Sequence, residues 1–177
     1  MNKHHYLVAA ICLVFAAGMV TASSLTAAGS QSSTPASGTP AAAGDTAVEG
    51  LITVESSRSV QETMDRLETA LEENDLIVVA RIDHAANAEN AGLELPPTQL
   101  IIFGNPQLGT PLMQSERTVG IDLPQKFLVW EDADGTVYVG YNDPVYLAER
   151  HGISGQDDVI QQVSQALAML AETATAP

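Results

Sequence analysis

Cysteine is almost missing from this chain. Its single cysteine, Cys12, lies inside an apolar run near the N-terminus. If that run is removed during export, the mature protein contains no thiol. Disulfides, thiolate nucleophiles, thiolate-bound zinc and covalently attached c-type haem are then all excluded.

Basic residues are also scarce. The chain has 7 Lys and Arg against 22 Asp and Glu, which gives a formal net charge of −15. Nucleic-acid binding depends on cationic contacts to phosphate, so we expect no nucleic-acid partner, and anionic lipid surfaces are disfavoured for the same reason. An acidic surface that keeps the protein soluble is the simplest interpretation, with a salty habitat or a cationic partner as alternatives.

The N-terminus has the pattern of a secretory signal. Lys3 precedes the apolar run from Leu7 to Val20. A run of about 14 residues is shorter than the roughly 20 that a membrane-spanning helix needs, and small residues follow it. We therefore predict a signal peptide over 1–22 and export to the periplasm or the extracellular space, with no stable membrane span after cleavage. An uncleaved N-terminal anchor that tethers the protein to the membrane is the alternative.

A spacer and one folded domain follow. Residues 23–48 are rich in Ala, Ser, Thr, Gly and Pro, a composition typical of a disordered tether. Residues 49–173 alternate strand and helix patterns, with apolar helical spacing after Ser59 and again from Val159. The predicted order is β-α-β-β-β-β-α with two short helices inserted. The pattern predicts an α+β fold, in which two long helices cover one face of a twisted antiparallel sheet.

Five motifs follow one another along this domain. They are Arg81-Ile82-Asp83-His84, Phe103-Gly104-Asn105-Pro106, Gly109-Thr110-Pro111-Leu112-Met113, Gly120-Ile121-Asp122-Leu123-Pro124, and Tyr141-Asn142-Asp143-Pro144 through Arg150-His151. Together they resemble the domain of unknown function 302 family over about Gly50 to Leu170. The resemblance implies a small TBP-like β-α-β(4)-α domain that forms homodimers, and it implies no particular reaction.

Candidate chemistry gathers at three places in the domain. His84 beside Asp83 could act as a general base or a metal ligand, or it could simply occupy the turn after a strand. His151 ends a segment in which Asp143 has the pattern of a helix cap. The two histidines with one of these carboxylates form a possible metal set. The loop from Phe103 to Met113 could hold an anion but lacks a nucleotide-binding motif. The candidate ligand-binding residues are Asp83, His84, Phe103, Asn105, Met113, Tyr141, Asp143 and His151.

Three functional hypotheses follow from these observations. The first is an exported small-ligand-binding or accessory module, because polar motifs gather in loops without a recognisable catalytic constellation. The second is an enzyme, or a metal- or haem-binding protein, that uses His84 or His151. The third is a structural homodimerisation module. Phe127 and Trp130 are three residues apart on one strand, so one should enter the core and the other should lie on the open face of the sheet.

Overall fold

A computed structural model describes residues 48–177 of the chain. The predicted signal peptide and all but the last residue of the predicted spacer lie outside the described residues. Within 48–177, no helix combines the length and the apolar character that crossing a membrane requires. The regular elements are β1 (Leu51–Ser56), α1 (Val60–Glu73), β2 (Ile77–Asp83), α2 (His84–Asn90), β3 (Thr98–Gly104), α3 (Pro106–Ser115), a 3₁₀ helix (Arg117–Ile121), β4 (Gln125–Glu131), β5 (Val137–Asn142), α4 (Pro144–His151) and α5 (Asp157–Thr175).

The strands form one five-stranded sheet in the order β1-β5-β4-β3-β2. Every neighbouring pair is antiparallel, and β1 and β2 form the two edges. The two long helices, α1 and α5, pack on each other and on the same face of the sheet. The predicted α+β class and the predicted placement of the long helices are therefore confirmed.

The beginning of α1 shows how local sequence sets an element boundary. Ser59 accepts a hydrogen bond from the backbone N–H of Glu62, whose carboxylate accepts one from the backbone N–H of Ser59. This reciprocal capping box satisfies donors that the first helical turn would otherwise leave unpaired. The helix then buries Met64, Leu67 and Leu71 completely.

Aromatic side chains cross the three central strands beneath the helices. Phe127 on β4 has no exposed surface. Its ring stacks on Phe103 of β3 with centroids 5.0 Å apart and meets Tyr141 of β5 edge-on at 5.4 Å. These offset and edge-to-face geometries are the favourable ones for aromatic pairs. The aromatic row therefore joins three strands and forms the centre of the core.

The other face of the sheet carries Trp130. Its ring stacks on Tyr138 at 5.5 Å, and both side chains are half-buried. The glycine at 140 is required there, because a Cβ at that position would lie 2.8 Å from the indole. The prediction that Phe127 and Trp130 occupy opposite faces is confirmed.

We expect Phe127→Ala to lower the free energy of unfolding by about 3–5 kcal/mol, since it removes a buried ring and leaves a cavity in the core. Urea denaturation measures this loss. Tyr138→Ala, which removes a half-exposed aromatic ring from the neighbouring strand, is the matched control and should cost clearly less. Equal losses for the two variants would contradict the assignment of Phe127 as the core centre.

Candidate functional site

A cavity lies between α3 and α5, on the helix-covered side of the sheet. It has a volume of about 340 Å³ and is open on one side. Phe103 forms part of its wall, so the cavity adjoins the aromatic row. The remaining apolar side chains of the lining are not aromatic. They come from β2 and its approach, from α3, from the loop before β4 and from α5: Leu76, Ile77, Val79, Pro106, Leu108, Leu112, Met113, Leu123, Pro124, Val163, Ala166, Leu167 and Leu170.

One continuous stretch, residues 104–125, supplies a whole side of this cavity and is called the wall segment here. Its helix α3 begins where Asn105 Oδ1 accepts a hydrogen bond from Gln107 N at 2.9 Å, with Pro106 in the first helical position. Both features are typical of helix starts. A Cβ at Gly109 would lie no closer than 3.8 Å to a neighbouring atom, so the glycine leaves open space on the cavity side.

The mouth of the cavity is apolar. Ile77 is 57% exposed and Val79 is 61% exposed, although both are large aliphatic residues. The pairing of β2 with β3 shifts between Val78 and Ala80, which leaves Val79 unpaired in a β-bulge. Bulges redirect side chains, and here the bulge places Val79 at the cavity lining on an unpaired sheet edge. Exposed apolar residues beside a cavity are typical of a binding mouth.

His151 is the last residue of α4 and connects this helix to the wall segment through two hydrogen bonds. Its Nε2 lies 2.6 Å from Asp122 Oδ2, and its Nδ1 lies 2.9 Å from the Thr118 hydroxyl. The His151 and Asp122 side chains are only 8% and 13% exposed, and Arg150 adds a second ion pair to Asp122 at 3.3 Å. Both ring nitrogens therefore have partners on the wall segment, a structural use that leaves neither free for a ligand.

Lys126 fastens the same segment to β4. Its Nζ donates to the carbonyl oxygens of Asp122 at 2.7 Å and Pro124 at 2.8 Å. Burial lowers the pKa of Lys126 from its usual value, because the ammonium group has lost part of its hydration. At the start of the 3₁₀ helix, the backbone N–H of Thr118 donates to Glu116 and thereby lowers the pKa of this carboxyl group.

The predicted site residues separate into distinct places. Phe103, Asn105 and Met113 all line the cavity. Tyr141 instead lies in the core, where burial raises the pKa of its hydroxyl. Asp143 caps α4 by accepting from Val145 N at 2.9 Å.

The motif at the end of β2 has a structural explanation. Asp83 caps α2 by accepting from Ala86 N at 2.9 Å, and His84 is the first residue of that helix and half-buried. Neither residue lines the cavity. Arg81 of the same motif contacts Asp65 of α1 at 2.8 Å and Gln99 of β3, so it connects a helix to the sheet.

The predicted metal set does not assemble. Among residues 48–177, no three His, Cys, Asp or Glu side chains are grouped closely enough to hold a metal ion. The polar partners of His151 are Asp122 and Thr118. The sequence predicted Asp83 or Asp143 as the carboxylate instead. Sequence reasoning missed Asp122 as a partner, although it lies in the motif Gly120–Pro124. It also missed the contribution of α5, because Val163, Ala166 and Leu167 have the spacing of ordinary core positions.

We expect His151→Ala to destabilise the protein by about 1–3 kcal/mol, since it removes a hydrogen bond to a largely buried carboxylate. The urea midpoint at unchanged m-value measures the effect. His84→Ala is the matched control, a histidine-to-alanine change outside the cavity wall, and we expect a smaller loss. If both variants unfold at the same urea concentration, the fastening role of His151 is wrong.

Comparison with known proteins connects this geometry to a family. The chain is 51% identical over 104 residues to the fluoride-specific ion channel FluC 1 of Brucella suis biovar 1 (strain 1330), a match that covers 59% of this chain and 41% of that protein. FluC 2 of Brucella melitensis biotype 1 (strain ATCC 23456 / CCUG 17765 / NCTC 10094 / 16M) matches at 51% identity, with 38% of its length covered. This chain therefore spans about two fifths of the length of the curated relatives it matches.

A solved structure shares the fold. The crystal structure of the uncharacterized conserved protein DUF302 from Bacillus stearothermophilus superimposes with a TM-score of 0.64 at 23% identity, covering 72% of this chain and 99% of that one. The family model described as "Domain of unknown function DUF302" matches residues 52–170, which includes the sheet, the wall segment and most of α5. The chain belongs to the DUF302 family.

Proposed function

We propose that this protein is an exported module that binds a small molecule in the cavity between α3 and α5. The observation that carries the proposal is the open, apolar cavity of about 340 Å³ beside a well-packed core. Ligand sites in proteins are concave, mainly apolar, and carry a few polar groups that fix the orientation of the ligand. Asn105, Thr110 and Gln125 provide such groups here.

Packing energetics support a binding role for this space. At ~24 cal/mol per Å³, a closed void of that size would destabilise a core by roughly 8 kcal/mol, comparable to the whole stability of many domains. The cavity is open to solvent, so water meets a lining that offers few hydrogen bonds. An apolar ligand would displace that water and restore the contacts that a packed interior provides.

The relatives support an accessory role. Most of each matched fluoride channel lies outside the region shared with this chain, since the match covers about two fifths of those proteins. We propose that the shared region is a module that accompanies the channel in those proteins and is exported separately here. The signal-like run Leu7–Val20 supports export, and a membrane tether through an uncleaved run is the alternative.

The geometry supports binding more strongly than catalysis. Neither His84 nor His151 is among the residues that line the cavity. An enzyme, or a metal- or haem-binding protein, that uses these histidines would need a site separate from the cavity. His151 is already engaged with Asp122 and Thr118.

The open face of the sheet supports a second role, in homodimerisation. Leu100, Ile102, Leu128 and Trp130 lie side by side on this face, and all are only half-buried. Aromatic and aliphatic residues in a continuous patch are typical of the centre of a protein–protein interface. A second copy of this chain is the proposed occupant, and the expected oligomer is a dimer.

We expect Ala166→Phe to abolish ligand binding, because the added ring would occupy the cavity. The probe is a neutral fluorescent dye, N-phenylnaphthylamine, whose emission rises on transfer to an apolar site. Gln165→Phe, on the exposed side of the same helix, is the matched control and should leave dye binding intact. A dye signal that Ala166→Phe leaves unchanged would contradict a ligand site in this cavity.

We expect Trp130→Glu to convert the dimer to a monomer, since it buries a charge in the proposed interface. Light scattering at micromolar concentrations gives the mass, and circular dichroism verifies that the variant is folded. Thr69→Glu places the same charge on an exposed position of α1, away from this face, and should remain dimeric. A monomeric mass for the unaltered protein would argue against the homodimer.

A further inference from the structure

The chemistry of the lining constrains the ligand further, provided that the cavity is the ligand site proposed above. Every side chain that lines it is uncharged, and Phe103 is the single aromatic among them. A charged group moved into such a lining would lose its hydration and gain no ionic partner. Uncharged ligands are therefore favoured over ions of either sign.

The basic groups closest in sequence to the lining are already engaged. Lys126 follows the lining residue Gln125, but its Nζ donates to two backbone carbonyl oxygens. Arg81 lies two residues beyond Val79, but its guanidinium contacts Asp65 at 2.8 Å and Glu68 at 3.0 Å. A carboxylate or phosphate at the mouth would also meet the field of a chain with a net charge of −15. Anionic amphiphiles such as fatty-acid anions are thus disfavoured.

The few polar groups favour a ligand with a hydrogen-bond acceptor at one end. Asn105 already uses Oδ1 to cap α3, so its Nδ2 is the atom that remains for a ligand. Gln125 adds a second amide from the opposite end of the wall segment. A hydroxyl, ketone or ester oxygen could accept a hydrogen bond from these amides without bringing a charge into the cavity.

The volume sets the size of the apolar part. An engineered cavity of about 150 Å³ accommodates benzene, and this cavity is roughly twice as large. That scale corresponds to roughly a dozen non-hydrogen atoms. Leucine, valine and methionine side chains at the lining suit a flexible or branched chain, because Met113 in particular can adapt its shape.

We infer that the cavity binds an uncharged, mainly aliphatic molecule of roughly a dozen non-hydrogen atoms, with a hydroxyl or carbonyl oxygen placed at Asn105 and Gln125. The inference rests on the proposed binding function and specifies its ligand class. It excludes fatty-acid anions and alkylammonium ions as the preferred ligands.

A head-group series tests the ligand class. Decanol, decanoate and decyltrimethylammonium share one chain length and differ in charge, and the binding of each at neutral pH is measured by isothermal titration calorimetry. We expect decanol to bind at least about tenfold more tightly than either ion. Equal or tighter binding of decanoate or decyltrimethylammonium would overturn the inferred class while leaving the binding function standing. If all three compounds fail to bind, the binding function fails as well.

A substitution at the cap tests the position of the polar end. Asn105→Asp keeps a good helix cap but replaces the Nδ2 donor with a carboxylate. We expect decanol to bind several-fold more weakly and decyltrimethylammonium several-fold more tightly to this variant. Asp143→Asn makes the reverse exchange at the α4 cap, outside the cavity, and should leave all three affinities unchanged. Unchanged affinities in Asn105→Asp would overturn the placement of the ligand oxygen at Asn105.

Discussion

The aromatic row Phe103–Phe127–Tyr141 is the constraint on which the rest of the structure depends. It joins the three central strands on the face that α1 and α5 must cover, and its middle ring is fully buried. Phe103 ends the row and also forms part of the cavity wall. The cavity therefore lies directly against the buried aromatic core.

The wall segment, on the other side of the cavity from Phe103, is one connection between two neighbouring strands. Residues 104–125 leave the sheet at the end of β3 and return at the start of β4, so both ends are fixed by the ladder between these strands. In the middle, Asp122 and Thr118 are held by His151, and Ser115 Oγ donates to the carbonyl oxygen of Ser154. These polar side chains hold the wall segment in place, and the wall segment in turn presents apolar side chains to the cavity. The cavity can therefore have an apolar lining although polar motifs surround it in the sequence.

The sequence predicted the fold better than the site, and the reason is physical. Strand and helix patterns, the cap at Ser59 and the opposite orientations of Phe127 and Trp130 depend on local periodicity, and the structure confirms them. The pairing of His151 with Asp122 depends on two elements that meet only after folding. The sequence pattern also does not distinguish a cavity from the core. Ala166 lines the cavity and Ala171 is buried in the core, yet both belong to the apolar stripe of α5. Most of the site residues predicted from the sequence are polar, and Asn105 is the only one of these polar candidates that lines the cavity.

The stacking of Trp130 on Tyr138 has a practical consequence. Trp130 is the chain's one tryptophan, and it lies across the sheet from the cavity. Its intrinsic emission therefore reports on the polarity of the open face. The protein carries its own spectroscopic label for this surface, so burial of the face in the proposed homodimer would shift that emission without any added dye.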